Sequence, residues 1–176
     1  MPRRVVTGRN AAGKSVFVSD AEVEGKVMAS APRSAFFDVW GVDGRFAVPS
    51  DGTKPDYTTF FPPAEGFRSM VVRFQPDSTP VPEDLDLEAL QRDLDERFAG
   101  LTDHMEPDAP GMHTTLTVDI GVVVSGEIWL ELDDGAEVHL TPGDLVVQNG
   151  TRHAWRNKTE EVCVMAFVLV GADRAG

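Results

Sequence analysis

The chain has little cysteine and no long apolar segment. Cys163 is its single cysteine in 176 residues, which excludes an internal disulfide framework, and the apolar run around it favours burial. That run is too short to cross a bilayer, and the N-terminus lacks the apolar stretch of a signal peptide. These absences predict a cytoplasmic protein with no membrane partner.

Basic side chains are also scarce. The 16 lysines and arginines are outnumbered by 29 aspartates and glutamates, which gives a net charge of -13. A surface of this sign repels the phosphate backbone of nucleic acids. The composition therefore argues against nucleic-acid binding and leaves a small molecule as the expected partner.

One stretch near the N-terminus matches a nucleotide-binding pattern in its letters. Residues 8–15 read G-R-N-A-A-G-K-S, which fits the phosphate-loop pattern G-x4-G-K-S. That loop requires a buried strand before it and a helix after it. Residues 14–19 instead alternate as a strand does, and the chain offers no series of strand and helix units. The sequence therefore predicts a hairpin turn here and no nucleotide cofactor.

Regular turn signals dominate the C-terminal half. Gly126, Gly135, Gly143 and Gly150 recur every seven to nine residues, and the segments between them alternate apolar with polar side chains. Short strands at regular spacing, bounded by Gly, Asp and Pro, are typical of a β-sandwich or β-barrel. The sequence therefore predicts an all-β fold.

The remaining elements suggest one domain over residues 1–176, with N-terminal strands and loops in 1–80. Strands are predicted over 35–41, 57–61 and 67–75 from their apolar and aromatic content. One amphipathic helix is predicted within 84–99, because apolar residues recur there at three- and four-residue steps. We expect its apolar stripe to pack on the outside of the barrel or on a second subunit.

The stretch from Met112 to Asn157 resembles the cupin superfamily, whose motifs are G-x5-H-x-H-x3/4-E-x6-G and G-x5-P-x-G-x2-H-x3-N. The matching positions are His113, Thr115, Asp119 and Gly126 for the first motif, and Gln148, Gly150, His153 and Asn157 for the second. Thr115, Asp119 and Gln148 replace the second His, the Glu and the Pro. The resemblance implies a double-stranded β-helix, or jelly-roll barrel, with its core in 112–170.

The same resemblance implies a site made of His113, Asp119 and His153. Two imidazoles and one carboxylate are a set that can hold iron, manganese, nickel or zinc with open positions for a substrate. In a straight strand the first two would lie about 20 Å apart, at about 3.3 Å per residue. The implied site therefore needs the chain to bend between His113 and Asp119, where no Gly or Pro marks a bend.

The chemistry expected of these residues follows from whether a metal is present. With a metal, the ion would polarise a carbonyl group, and iron would open dioxygenase chemistry. Without one, His113 and His153 would act as general acid and base, with Asp119 orienting one imidazole. Both versions favour lyase, isomerase or decarboxylase chemistry over hydrolysis, because no Ser or Cys nucleophile is paired with a base. A non-catalytic cupin that binds or senses a small ligand is the alternative, and a scaffold with a filled interior is a third.

Four further residues are candidates for substrate binding. Trp155 lies two residues from His153 and so on the same face of a regular strand, and Gln148 is close to it in sequence. Arg68 and Arg73 have opposite parity along one predicted strand, so one of them would point inward, where it could anchor a substrate carboxylate. The family also implies a homodimer, for which the N-terminal strands are suited.

Overall fold

The computed structural model describes residues 1–174 and confirms the all-β fold. Each element follows from its sequence pattern, since strands carry apolar residues at every second position and the helix carries them at every third or fourth. The elements are β1 (Arg3–Arg9), β2 (Ser15–Glu22), β3 (Gly25–Met28), β4 (Ala31–Val42), β5 (Phe67–Phe74), α1 (Leu87–Arg97), β6 (Thr117–Ser125), β7 (Ile128–Glu131), β8 (Glu137–Leu140), β9 (Leu145–Asn149), β10 (Ala154–Arg156) and β11 (Cys163–Gly171).

Two antiparallel sheets form the jelly-roll barrel. The larger has the strand order β3-β4-β5-β11-β6-β9, and the smaller has the order β10-β7-β8. Inward-facing side chains of both sheets meet in one core, in which Ile128 and Leu140 of the smaller sheet pack with Val123 and Met165 of the larger. β11 pairs with β5 on one side and with β6 on the other, and the buried residues at every second position show that one of its faces covers the core.

The N-terminal strands β1 and β2 form a separate two-stranded sheet. The turn between them contains the phosphate-loop look-alike, and Asn10 shapes it because its side-chain oxygen accepts hydrogen bonds from the backbone N–H groups of Ala12 and Lys14, both at 3.0 Å. Gly13 follows with a φ of 76°, which favours glycine. The predicted hairpin turn is confirmed.

Helix α1 is anchored at its C-terminal end. Asp86 caps its start by accepting a hydrogen bond from Ala89 N at 2.9 Å. Phe98, directly after the helix, is buried against Phe36, with ring centroids 5.4 Å apart, whereas Leu87 is 72% exposed. The predicted stripe is therefore buried only at one end. None of the helices within residues 1–174 has the length and apolar character needed to cross a bilayer.

The strand predicted over 57–61 is wrong. This segment is irregular, and within it Phe60 N donates a backbone hydrogen bond to Ala99 O at 2.8 Å. Its aromatic residues serve packing rather than strand pairing, since Phe60 and Phe61 lie edge to face with centroids 4.9 Å apart.

Candidate functional site

The site begins with a pair of histidines that the backbone holds side by side. His113 N donates to His153 O at 2.9 Å, and His153 N donates to His113 O at 3.0 Å. This reciprocal bridge brings the two imidazole centroids to 4.1 Å. Residues 40 positions apart in the chain thus form one unit of the site.

The chain bends between His113 and Asp119, as the resemblance requires. β6 begins only at Thr117, and a bend lies at Leu116, whose carbonyl accepts a hydrogen bond from Ala172 N at 2.9 Å. The bend contains neither Gly nor Pro, so the local sequence does not predict it. It directs Asp119 from β6 into the same cavity that His113 lines.

Hydrogen bonds define the tautomer of both rings. His113 Nδ1 lies 2.9 Å from Gly111 O, and His153 Nδ1 lies 2.9 Å from Thr151 O. Because a carbonyl oxygen can only accept, each Nδ1 is the donor, and the opposite Nε2 of a neutral ring is an acceptor. The carbonyls, and not Asp119, orient the imidazoles, so the prediction that Asp119 orients one of them is wrong.

Burial keeps both imidazoles neutral near pH 7. It lowers the pKa of His113, and it lowers the pKa of His153 to about 4, where repulsion from a protonated His113 adds to the effect. A protonated His113 lowers the pKa of His153 because two positive charges at this spacing repel each other. The pair therefore presents two lone pairs rather than two positive charges.

Asp119 is a buried carboxyl group without a full set of partners. Its side chain belongs to a residue only 7% exposed, and Oδ1 has no hydrogen-bond partner among the described residues. Burial raises its pKa to about 6, against a smaller opposing effect of a hydrogen bond with Thr117. Unsatisfied buried polar groups and shifted pKa values are concentrated at functional sites.

These three side chains share one apolar cavity of about 350 Å³. It lies between the large sheet, β10, α1 and the segment that leads to His113. Its wall combines aliphatic and methionine side chains with aromatic ones, and the aromatic residues are Phe36, Phe60, Phe61, Phe74, Trp155 and Phe167. This size and character suit a small hydrophobic ligand that is oriented by a few polar groups. The interior is open, which contradicts a scaffold whose interior is filled.

Of Trp155 and Gln148, the two substrate-binding candidates near His153, only one lines the cavity. Trp155 lines the cavity, with its ring centroid 6.0 Å from that of His153. Gln148 is buried outside the cavity wall, and its Nε2 donates to Thr151 O at 2.7 Å. Since Thr151 O also accepts from His153 Nδ1, Gln148 supports the carbonyl that orients the histidine. Its predicted contact with substrate is replaced by this indirect role.

Arg68 and Arg73 lie on opposite sides of β5, as their parity predicts. The inward-facing residue is Arg68, whose guanidinium is already engaged by other groups of the protein. Arg68 is 1% exposed and pairs with Asp43, while its remaining N–H groups donate to backbone carbonyls, including Thr59 O at 3.0 Å. It borders a separate polar cavity of about 200 Å³ and not the histidine cavity. Arg73 is exposed at the edge of the histidine cavity, with no ion pair to any described residue.

An ionic clamp that we did not predict holds the segment leading to His113. Arg152, adjacent to His153, donates to both carboxylate oxygens of Glu106 at 2.7 Å and to Asp133 at 2.9 Å. Glu106 N in turn donates to Met112 O at 2.9 Å, so the clamp reaches the residue before His113. The sequence does not predict this clamp, because Glu106 and Arg152 are 46 residues apart and meet only in the folded chain.

The predicted metal site does not fit this arrangement. Within residues 1–174, no three His, Cys, Asp or Glu side chains are grouped closely enough to hold a metal ion. The position of the second motif histidine is Thr115, whose hydroxyl is buried and bonded to that of Thr117 at 2.7 Å. His113 and His153 form a pair, and Asp119 lies in the same cavity without completing a three-ligand cluster. These three residues therefore do not provide the predicted three-ligand set.

Comparison with known proteins identifies one family. Residues 104–170 match the model of the family described as Cupin domain. A relative is the oryzines biosynthesis cluster protein J of Aspergillus oryzae, 47% identical over 60 residues, which are 34% of this chain and 34% of that protein. Another is a cupin-domain-containing oxidoreductase of Neurospora crassa, 42% identical over 57 residues, which are 30% of this chain and 29% of that protein.

A cupin domain of Schizosaccharomyces pombe has a similar backbone, with a TM-score of 0.49 and 7% identity over 97% of this chain and 88% of that one. The two sequence matches each span about a third of the relative's length.

Proposed function

Residues 104–170 match the Cupin domain family, and from that match we propose an enzyme that transfers a proton on a small hydrophobic molecule. The observation that carries the proposal is the His113–His153 pair, whose Nδ1 atoms are both bound to carbonyls and whose Nε2 atoms are left as acceptors. A neutral imidazole with its second nitrogen fixed by a hydrogen bond is suited to act as a general base.

The proposed step needs one of the two imidazoles and the carboxyl group of Asp119. An imidazole Nε2 accepts a proton from a carbon of the bound molecule, and Asp119, when protonated, donates one to an oxygen of the same molecule. Asp119 is then a carboxylate that accepts a hydrogen bond from the new hydroxyl group. The apolar wall around these groups favours an apolar ligand over water at this position. Such transfers produce isomerisation, elimination of a leaving group or protonation after decarboxylation. Hydrolysis through Cys163 is disfavoured because this thiol is fully buried and burial raises its pKa to about 11.

The names of the relatives support a role with small molecules. One is named for a biosynthesis cluster and another as an oxidoreductase. Oxidation would require a metal or another redox group, and the three side chains do not fit a three-ligand metal site. We therefore propose proton transfer for this chain, with non-catalytic ligand binding as the alternative.

The test is proton exchange, which does not require the natural substrate. Hydrophobic ketones such as 2-tetralone are incubated with the protein in D2O, and loss of the signal from the protons next to the carbonyl is followed by NMR. We expect exchange above the buffer rate by a factor on the order of 10² to 10⁴, the usual gain from a positioned acid or base. Prior treatment with EDTA should leave the rate unchanged.

The matched control is His139→Gln, because this histidine is exposed on the smaller sheet and pairs with Glu127 outside the cavity. It should retain the wild-type rate. If ketones bind and none exchanges faster than in buffer, non-catalytic binding becomes the better account. Activity that is lost with EDTA and restored by one metal ion would reinstate the metal-dependent alternative.

We also propose that the protein is a homodimer that associates through the outer face of the large sheet. Across β6, β9 and β11 most of the exposed side chains of this face are aliphatic, with Ile120 at 50%, Val147 at 68% and Val168 at 39% exposure. Ile120 is opposite both of the others in the strand register, so the patch is continuous. An uncharged apolar face of this kind is complementary to a second copy of itself.

Light scattering after size-exclusion chromatography tests the homodimer. We expect a dimer for the wild type and a monomer for the double variant Ile120→Lys/Val147→Lys, because like charges would meet across a two-fold axis. Val138→Lys is the control, since Val138 is 60% exposed on the smaller sheet, and it should remain dimeric. A double variant that stays dimeric would place the interface elsewhere.

A further inference from the structure

We propose that the cavity recognises a hydroxyl group, so that the substrate class is a hydrophobic alcohol or phenol whose O–H points at His113, His153 and Asp119. This inference rests on the proposed function, because the proton transfer proposed above leaves a hydroxyl group on the oxygen that Asp119 has protonated. The evidence for it is the set of hydrogen-bond donors and acceptors that line the cavity.

The polar end of the cavity offers acceptors. Each imidazole uses its Nδ1–H on a backbone carbonyl, at 2.9 Å in both rings, so each Nε2 is left with a lone pair. Asp119 Oδ1 is a third acceptor, buried and without a partner among residues 1–174. Three unpaired acceptors in one apolar cavity call for a ligand that donates hydrogen bonds.

The remaining polar groups favour a hydroxyl over other donors. Trp155 lines the same cavity and carries one indole N–H, which can only donate. A hydroxyl group can donate to an imidazole or carboxylate and accept from an N–H at the same time, which an ammonium group cannot do. The alcohol or phenol oxygen thus matches both kinds of group in this cavity.

The rest of the cavity defines the body of the ligand. Aromatic side chains supply part of the apolar wall, including Phe74 and Phe167, whose centroids lie 6.1 and 5.5 Å from that of Trp155. Rings set at an angle to one another suit flat hydrocarbon ligands through edge-to-face contact. A carboxylate ligand is disfavoured at the histidine end, since it would meet Asp119 in a site without a buried cation. The exposed Arg73 stands at the cavity's edge.

A matched pair of ligands tests the inference without any variant. Binding of 2-naphthol and of 2-methoxynaphthalene to the wild-type protein is measured by isothermal titration calorimetry. The two share a ring system, but only the first donates a hydrogen bond. We expect 2-naphthol to bind at least about tenfold more tightly, because the ether leaves buried acceptors unpaired. The anion 2-naphthoate should bind most weakly.

The variant Asp119→Leu gives a second readout. It removes one acceptor at similar size, so the ratio between the two naphthalene ligands should fall several-fold while the ether binds as well or better. Asp144→Leu is the control, since Asp144 lies in a surface turn at Thr141, and it should keep the ratio.

Equal affinity for the two naphthalene ligands, preference for the ether or naphthoate, or no binding by either would overturn the hydroxyl proposal. Failure of the proton-transfer proposal looks different, because 2-naphthol would then keep its advantage while no ketone exchanges protons.

Discussion

Replacing His153 with Gln is expected to lower the rate of ketone proton exchange by about two to three orders of magnitude, within the range that a general base contributes. His153 is 2% exposed and lines the cavity, and its Nε2 is one of two acceptors that could take the substrate proton. Gln keeps a polar group at this position but cannot accept a proton near neutral pH. The exchange rate at saturating ketone, compared with that of His139→Gln, measures the loss.

The partner variant His113→Gln distinguishes a coupled pair from two independent residues. Repulsion from His113 is one of the causes that lower the pKa of His153 to about 4, so its removal should raise that pKa. NMR titration of the His153 ring protons measures this change. A His153→Gln protein that is folded and keeps most of its rate, or a His153 pKa that does not move in His113→Gln, would contradict the proposed pair.

The sequence predicts the barrel well because its signals are local. Turn residues at Gly126, Gly135, Gly143 and Gly150 separate the strands of the C-terminal half as expected, and Gly126 and Gly150 adopt φ values of 75° and 65° that favour glycine. The helix predicted within 84–99 is observed from Leu87 to Arg97, three residues shorter at its start and two shorter at its end. Periodicity and turn chemistry suffice for these elements.

The roles within the site depend on partners that are distant in sequence. Parity predicts that one of Arg68 and Arg73 points inward, but it predicts neither that this residue is Arg68 nor that the Asp43 carboxylate and the Thr59 carbonyl engage it. Likewise, nothing near Gln148 indicates that its amide bonds Thr151 O instead of a ligand. Tertiary contacts decide whether a buried polar side chain faces the cavity or supports its wall.

The environment of Asp119 is not predicted from the sequence either, and it affects the stability of the fold. The motif resemblance predicts a metal-binding carboxylate, whereas the structure shows a carboxyl group with one unpartnered oxygen in an apolar cavity. A buried group of this kind reduces stability whenever it is ionised. This gives a prediction about folding that does not depend on knowing the substrate.

Asp119→Asn is expected to gain stability relative to wild type as the pH rises from 4 to 8. Burial raises the folded-state pKa from 3.8 to about 6, so the folded protein holds this proton more tightly than the unfolded chain does. That contribution is complete below the unfolded pKa and is lost as the pH rises through the folded value. Above about pH 6.5 the ionised carboxylate therefore costs the wild type about 3 kcal/mol that Asn does not incur, at 1.36 kcal/mol per pKa unit.

Urea unfolding of both proteins at pH 4 and pH 8 measures this effect. The quantity to compare is the change between the two pH values in the difference in unfolding free energy, because the cost of burying the Asn amide is the same at both. Asp144→Asn is the control of opposite sign, since hydrogen bonds from Thr141 lower the pKa of this exposed carboxyl group. If Asp119→Asn and wild type keep a constant difference, the carboxyl group is paired in solution. If the difference grows as expected while proton exchange is lost, the protein retains a destabilising carboxylate because its reaction requires one.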